Sequence, residues 1–310
     1  LLNSVLTLLF ISLFELCVYK PLIGRQVLVQ VLTGVFLYVN ILMIFTFFKK
    51  EAFRTDTRYI LFAHMLLVDS SLLATTDLAL LLIYFQCIMP YIACMVLNLL
   101  MIWLEFCTPL TLVAMCLERY VAICKPLRYD AISTPRTRLI VIVVIWLLSS
   151  VNFLIEIFFS AVSDPYFLTG HVYCTREQLF VAKWQYDMCQ GFNSFFFVTV
   201  GITIIYTYGG IMVAARSIKA QKASRTVLLH LIQLGLCLTS FLYGTIERAL
   251  AVFSSSLFIN LRYLNFLFIL LLPRCLSPLI YGLRDESVRS VFFCYLRCTC
   301  LHPPPPRFLS

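Results

Sequence analysis

The sequence predicts an all-α protein, a bundle of seven membrane-spanning helices with the N-terminus outside and a short amphipathic helix after the seventh span. The first observation behind this is composition: the 310 residues are 61% hydrophobic and only 13% charged, and their mean hydropathy is +0.93. Soluble domains carry about 25% charged residues. The second is a series of long apolar stretches, and the third is an uneven distribution of Lys and Arg around them.

Seven apolar stretches are each long enough to cross a hydrocarbon core of roughly 30 Å as a helix. In chain order they are approximately residues 27–48, 59–84, 93–123, 139–159, 191–215, 227–253 and 263–283. The sequence therefore divides into an N-terminal segment, 1–26, a helical domain, 27–283, and a tail, 284–310. The first segment lacks a basic leading region, so we expect a truncated or atypical N-terminal segment rather than a secretory signal.

Lys and Arg decide the orientation, because they are enriched in cytoplasmic loops. The loops 49–58, 119–138 and 216–225 and the tail from residue 284 hold seventeen of them, whereas the opposite side holds six. This pattern predicts an extracellular N-terminus and a cytoplasmic tail. It also argues against nucleic acid as a partner, since the net charge of +9 is spread over short loops instead of one basic soluble face.

The inner end of the third span is marked by charge. Residues 94–116 carry a single charged side chain, that of Glu105, and the run ends in Glu118 and Arg119. Pro126 cannot continue the helix. These charges therefore lie at the mouth of a spanning helix on its basic, cytoplasmic side.

This stretch carries a resemblance to a known family. The run Glu118-Arg119-Tyr120-Val-Ala-Ile-Cys-Lys-Pro-Leu resembles the Asp/Glu-Arg-Tyr motif of rhodopsin-like (class A) G-protein-coupled receptors, in the extended form found in odorant receptors. Residues 222–231 resemble the Lys-Ala-x-x-Thr-Cys-x-x-His-Leu pattern of odorant receptors, with Val227 replacing the Cys. Ser277-Pro278-Leu-Ile-Tyr281 resembles the Asn-Pro-x-x-Tyr end of the seventh helix. Residues 58–65 and 231–237 are similar to fish odorant receptors of the 131-2-like group.

The resemblance implies a plasma-membrane receptor that binds an odorant from outside and activates a heterotrimeric G protein inside. It implies neither enzyme activity nor a cofactor, and no nucleotide-binding or HExxH pattern occurs. The expected ligand-binding residues are Met101, Ile102, Glu105, Phe241, Thr245 and Arg248. A Glu buried in a helix-packing hydrogen bond is the alternative for Glu105. The expected switch at the G-protein side consists of Glu118, Arg119 and Tyr120, with Tyr208 and Tyr281 converging on the arginine.

A set of polar residues lies inside the predicted membrane spans, where each needs a partner or a wet cavity. It consists of Asn40, Asp69, Arg274, Ser277 and Pro278. Related receptors can hold a sodium ion near the Asp, and we hypothesise that Arg274 occupies this space as a built-in cation, paired with Asp69 or with Glu105. The alternatives are an Arg that reaches water in the pocket, where it binds an anionic odorant group, and packing without function. For the other polar residues the alternative is isolated hydrogen bonding between helices.

Among the thirteen cysteines, the resemblance pairs Cys94 with Cys174 in a disulfide on the oxidising side. Cys189 is a competitor, because it too is predicted near the outer surface. The cysteines of the tail are candidates for palmitoylation or are free thiols, namely Cys294, Cys298 and Cys300. No Asn-x-Ser/Thr acceptor occurs, which departs from the family and fits a missing N-terminus.

Three other functions remain open on the sequence. A transporter or channel would use intramembrane charges along a solute path, with Asp69, Asp77, Glu105, Glu156 and Arg274 as candidates. It would favour internal repeats, which are not visible in the sequence. A non-odorant class A receptor and a receptor-like protein without signalling are the other two.

Overall fold

The computed structural model of the protein describes residues 22–49, 53, 55–163, 170–174, 183–214, 271 and 274. Within this part, five long helices follow one another as α1 (Leu22–Lys49), α2 (Thr57–Tyr84), α3 (Tyr91–Cys124), α4 (Pro135–Ser163) and α5 (Lys183–Ala214). Each contains a segment long and apolar enough to cross a membrane. The first five predicted spans are therefore confirmed as helices of spanning length. The predicted sixth and seventh spans, apart from residues 271 and 274, and the predicted tail helix lie outside the described residues.

Three helices extend beyond the ends of the predicted spans. The first helix begins at Leu22 rather than residue 27, the fourth runs from Pro135 to Ser163, and the fifth begins at Lys183 rather than residue 191. The apolar pattern marks only the part of a helix that lies in hydrocarbon. Backbone hydrogen bonds continue beyond it, so a helix includes polar residues outside the membrane core.

Two short strands occur beside the predicted helices. Strand β1 (Ile88–Pro90) precedes α3 and pairs antiparallel with β2 (His171–Tyr173), Met89 standing opposite Val172. The Tyr91 amide extends the ladder by donating to the Gly170 carbonyl at 2.9 Å. Strands of three residues are too short to show an alternating pattern. Sequence periodicity therefore had no means of detecting them.

Helix α3 is the central helix of the described bundle, since it packs against α2, α4 and α5. The largest buried apolar cluster joins α1, α2, α3 and α5, with fully buried side chains that include Met65, Phe106, Phe197 and Ile211. A second cluster, which includes Leu104 and Ile145, lies between α2, α3 and α4. The buried residues of α3 extend from Tyr91 to Cys116, so most of this helix runs through the core of the bundle.

The outer faces of the helices are apolar as well. On α1, large side chains between 45% and 60% exposed recur every three or four residues, at Val27, Val31, Val35, Tyr38, Ile41, Phe45 and Phe48. This spacing places them along one side of the helix. A continuous apolar stripe of this length is unusual on a soluble surface. It is the surface expected where a helix faces lipid.

A buried histidine ties α2, α3 and α4 together. The Trp146 indole donates to His64 Nε2 at 2.9 Å, and His64 Nδ1 lies 3.2 Å from the Thr111 hydroxyl. Because an indole N–H is only a donor, Nε2 accepts, and in a neutral ring the proton is on Nδ1. The Thr111 hydroxyl then accepts from His64 and donates to the Cys107 carbonyl at 2.7 Å. This chain of bonds satisfies three polar groups without a charge.

Candidate functional site

The N-terminal end of α3 is held by a disulfide between Cys94 and Cys174, which are separated by 80 positions in the sequence. The predicted pairing is confirmed, and the competitor Cys189 takes no part in it. Both bonded cysteines are buried. The Asn98 amide lies 3.3 Å from Cys94 Sγ and 3.4 Å from Cys174 Sγ, one turn further along α3. The bond fixes the segment that carries β2 over the start of α3.

The middle of the bundle holds a buried ion pair. Arg274 Nε lies 3.6 Å from Asp69 Oδ1, and the two side chains are 7% and 0% exposed. The same carboxylate oxygen accepts from the Thr108 hydroxyl at 2.9 Å. Of the two acidic partners that the sequence left open for Arg274, Asp69 is therefore in ion-pair range. A guanidinium at this distance gives the buried Asp69 carboxylate a positive counter-charge.

Two further hydrogen bonds join α1 to α2 beside this pair. The Asn40 amide donates to the Ser70 hydroxyl at 3.0 Å, and Ser70 donates to the Leu66 carbonyl at 2.6 Å. Closer to the outer end, the Gln30 amide donates to Asp77 Oδ1 at 2.6 Å. Asp77, one of the charges considered for a solute path, is thus engaged in contact between helices.

The C-terminal end of α3 carries the Glu-Arg-Tyr motif in a closed arrangement. Glu118 Oε2 lies 3.4 Å from Arg119 Nε, while Glu118 Oε1 accepts from the Tyr129 hydroxyl at 2.8 Å. Tyr129 begins the four-residue helix Tyr129–Ile132, which follows the 3-10 turn Pro126–Arg128. Burial, and to a lesser degree the neighbouring Glu118 carboxylate, raise the pKa of Tyr129 to about 12. Its hydroxyl therefore stays protonated and donating at physiological pH.

Two tyrosines, Tyr208 and Tyr281, are predicted to converge on Arg119. Tyr208 packs against the apolar cluster shared by α3 and α5, as does Tyr120, and no hydrogen bond of the described residues joins Tyr208 to Arg119. Tyr281 lies outside the described residues. Among the described residues, Glu118 lies within ion-pair distance of Arg119.

The predicted pocket residues on α3 point in different directions. Ile102 is buried in the cluster that includes Phe106 and Phe197, whereas Met101 packs against the cluster between α2 and α4. Glu105 is partly buried. The other predicted pocket residues, Phe241, Thr245 and Arg248, lie outside the described part of the chain, as do Ser277, Pro278, Cys294, Cys298 and Cys300.

Sequence reasoning missed several residues of these sites. Thr108 and His64 are polar side chains inside apolar helices. Asn40 and Asp69 were selected for the same reason, so this signal could also have identified Thr108 and His64. Tyr129 gave no such signal, because its partner Glu118 is eleven residues away across a turn. Gly210 was also missed, because its contact with the ring of Tyr120 depends on how α3 and α5 pack.

Gly210 gives a test of packing at the inner end. A Cβ atom built on Gly210 would lie 2.5 Å from Tyr120 Cε2, whereas one on Gly209 would meet nothing within 4 Å. Overpacking typically costs about 1–3 kcal/mol, partly offset by about 0.5–1 kcal/mol from replacing a helical glycine. We expect Gly210→Ala to lower the melting temperature of the purified protein and Gly209→Ala to leave it unchanged or raise it. Equal shifts in both variants would contradict this contact.

Comparison with known proteins identifies the family. The family described as 7 transmembrane receptor (rhodopsin family) matches residues 39–281. Odorant receptor 131-2 of Danio rerio is 41% identical over 297 residues, which cover 93% of this chain and 90% of that protein. Olfactory receptor 2A12 of Homo sapiens is 27% identical over 74% of this chain and 77% of its own length. Olfactory receptor 51T1 of Homo sapiens is 31% identical over 59% of this chain and 58% of its own length. The predicted similarity to fish odorant receptors is thereby confirmed. The chain belongs to the rhodopsin family of seven-transmembrane receptors.

Proposed function

We propose that this receptor binds a small odorant within the outer half of the helix bundle and activates a heterotrimeric G protein at the cytoplasmic ends of the helices. The observation that carries the proposal is the 41% identity with Odorant receptor 131-2, because it extends over 93% of the chain. The geometry of the described helices is consistent with coupling between two ends of the bundle. A single central helix joins an outer covalent anchor, a buried ion pair and an inner ion pair.

The disulfide supports the orientation independently of the charge count. Disulfides persist in oxidising surroundings and are rare in the cytosol. The disulfide at Cys94 therefore supports an extracellular start of α3. Because each spanning helix reverses the direction of the chain, α1 also begins outside, and the Glu118–Arg119 pair faces the cytoplasm. This agrees with the excess of Lys and Arg in the loops on that side.

The proposed mechanism is a shift between two states of the bundle. In the described state Glu118 holds Arg119 and is itself held by Tyr129. A G protein that binds a state with Arg119 released favours that state, and an odorant that binds the same state better favours it too. The odorant site and the G-protein site are then coupled. Odorant binding raises the affinity for the G protein, and G-protein binding raises the affinity for the odorant by the same factor.

A transporter is disfavoured by the way intramembrane charges are used. Asp69 is engaged by Arg274 and Thr108, and Asp77 by Gln30. Such contacts hold helices together, whereas a solute path needs groups that exchange partners during transport. The family match covers 39–281 and points the same way.

The proposal is tested by measuring ligand-stimulated nucleotide exchange on a G protein with the receptor reconstituted in membranes. A panel of water-soluble amino acids and amines serves as the set of odorants. We expect at least one compound to stimulate exchange in the unmodified receptor. Uptake of a compound into sealed vesicles, without nucleotide exchange, would favour the transporter.

Arg119→Ala tests the switch within this assay. The variant is expected to abolish stimulated exchange while surface expression and odorant binding persist, because the outer half of the bundle keeps its contacts. Arg136→Ala is the matched control, since Arg136 is an exposed arginine at the start of α4. Stimulated exchange that survives in Arg119→Ala would remove Arg119 from the switch, and loss of folding would make it a structural residue.

A further inference from the structure

A cleft of about 400 Å³ lies between α3 and α4 near the cytoplasmic end of the bundle. Most of the residues that line it are apolar. Three of the lining side chains, Leu117, Ile140 and Val144, are 43%, 60% and 43% exposed. They belong to helices of membrane-spanning length, so the cleft opens sideways to the lipid rather than into the interior of the bundle.

The inner end of the cleft is polar and includes a cation. Arg138 lines it, and the Arg138 Nε atom is buried without a hydrogen-bond partner among the described residues. Another nitrogen of this guanidinium donates to the Thr55 carbonyl, which carries no net charge. No carboxylate of the described residues lies within ion-pair distance of Arg138.

The acid in the same lining does not neutralise Arg138. Glu118 pairs with Arg119 and accepts from Tyr129, so both of its oxygens are engaged elsewhere. A buried donor of a charged group without an acceptor costs free energy. Lys125 and Arg128 are exposed nearby in sequence and add to the positive charge of this segment. The cleft thus complements a molecule with an apolar chain and an anionic head.

We propose that this cleft binds an anionic phospholipid of the cytoplasmic leaflet. The acyl chain lies between α3 and α4, and the phosphate accepts from Arg138. The cytoplasmic leaflet is the source of anionic lipid that basic juxtamembrane segments meet. The assignment of the cleft to the cytoplasmic leaflet rests on the orientation in the proposed function. Lipid binding itself requires neither odorant nor G protein.

The location of the cleft allows a bound lipid to contact two residues of the Glu118–Arg119–Tyr129 arrangement. Glu118 and Tyr129 both line the cleft and both belong to the closed arrangement that holds Arg119. A lipid that packs against this pair stabilises the closed state. By linkage, release of Arg119 weakens lipid binding by the same factor.

The test is lipid binding to the purified receptor, measured by native mass spectrometry during titration with phosphatidylserine or phosphatidylcholine. We expect one phosphatidylserine to bind more tightly than phosphatidylcholine. Arg138→Gln should weaken phosphatidylserine binding by roughly tenfold, the scale of one lost hydrogen bond to a charged group. Arg136→Gln, which changes an exposed arginine outside the cleft lining, should leave it unchanged.

A second pair of variants tests the apolar part without touching the charge. Val144→Trp fills the cleft from its open side and should weaken binding, whereas Leu147→Trp changes a neighbouring residue that is 63% exposed and does not line the cleft. This pair keeps the test valid if Arg138→Gln fails to fold. Soluble glycerophosphoserine, the head group without chains, should not compete.

Four results would overturn the proposal. Equal binding of the two lipids would show that the head-group charge plays no part, and equal losses in Arg138→Gln and Arg136→Gln would indicate diffuse electrostatic attraction. Unchanged binding in Val144→Trp would exclude the chain from the cleft. Full competition by glycerophosphoserine would indicate a site for a soluble anion. None of these results bears on odorant-stimulated exchange, so the two proposals fail separately.

Discussion

Arg274→Met is expected to destabilise the receptor by about 3–5 kcal/mol, the usual cost of removing one partner from a buried ion pair. Methionine is unbranched and flexible and fills most of the volume that the arginine leaves, so the loss reflects mainly charge. Asp69, which is 0% exposed, would keep the hydrogen bond from Thr108 but would lose the guanidinium that lies 3.6 Å from Oδ1. The melting temperature of detergent-solubilised receptor and its surface expression both report this loss.

Restoration by a second substitution separates the pair from simple packing. Adding Asp69→Asn to Arg274→Met removes the orphaned charge and should recover part of the lost stability. Asp77→Asn is the matched control, because Asp77 is another intramembrane carboxylate, but its partner is Gln30. Equal recovery with either substitution, or none with Asp69→Asn, would refute the ion pair as the source of the effect.

The same pair predicts the response to sodium. With a guanidinium at Asp69, the unmodified receptor should bind its agonist equally well in sodium and in a bulky organic cation at equal ionic strength. Arg274→Met, if it reaches the membrane, should gain sensitivity to sodium because the carboxylate is then exposed to ions. Clear sodium dependence in the unmodified receptor would contradict the role of Arg274 as a built-in cation.

Loss of the disulfide is the second large effect. Cys94→Ser and Cys174→Ser should each reduce surface expression to a similar low level, since the bond closes a loop across a sequence separation of 80 residues. Removing a native disulfide commonly costs about 2–5 kcal/mol. The β1–β2 ladder and the Asn98 contacts would remain, but neither is covalent. Flow cytometry on intact cells measures the outcome.

The double variant and Cys189→Ser complete this test. Two substitutions that remove one shared bond are not additive, so the double variant should be no worse than either single one. Cys189→Ser should reach the surface at nearly the unmodified level, because Cys189 is not part of the bond. Additive losses, or a Cys189→Ser phenotype that matches Cys94→Ser, would show that the pairing is different in the membrane.

The sequence alone determined the class of the molecule. Hydropathy depends only on local composition, and a helix is the structure that satisfies its own backbone hydrogen bonds in lipid. The first five spans were therefore predictable from single stretches of chain. The Glu118-Arg119-Tyr120 motif and the identity of the family were also carried by contiguous residues.

Tertiary structure decided which distant groups meet. The sequence placed Arg274 inside the membrane but left two acids as partners, and only helix packing brought it within 3.6 Å of Asp69. The same holds for Tyr129 on Glu118 and for the ring of Tyr120 against Gly210. Pairing between distant positions depends on the rotation and register of whole helices, which hydropathy does not encode. For that reason the closed inner end and the unneutralised Arg138 in its cleft emerged only from the fold.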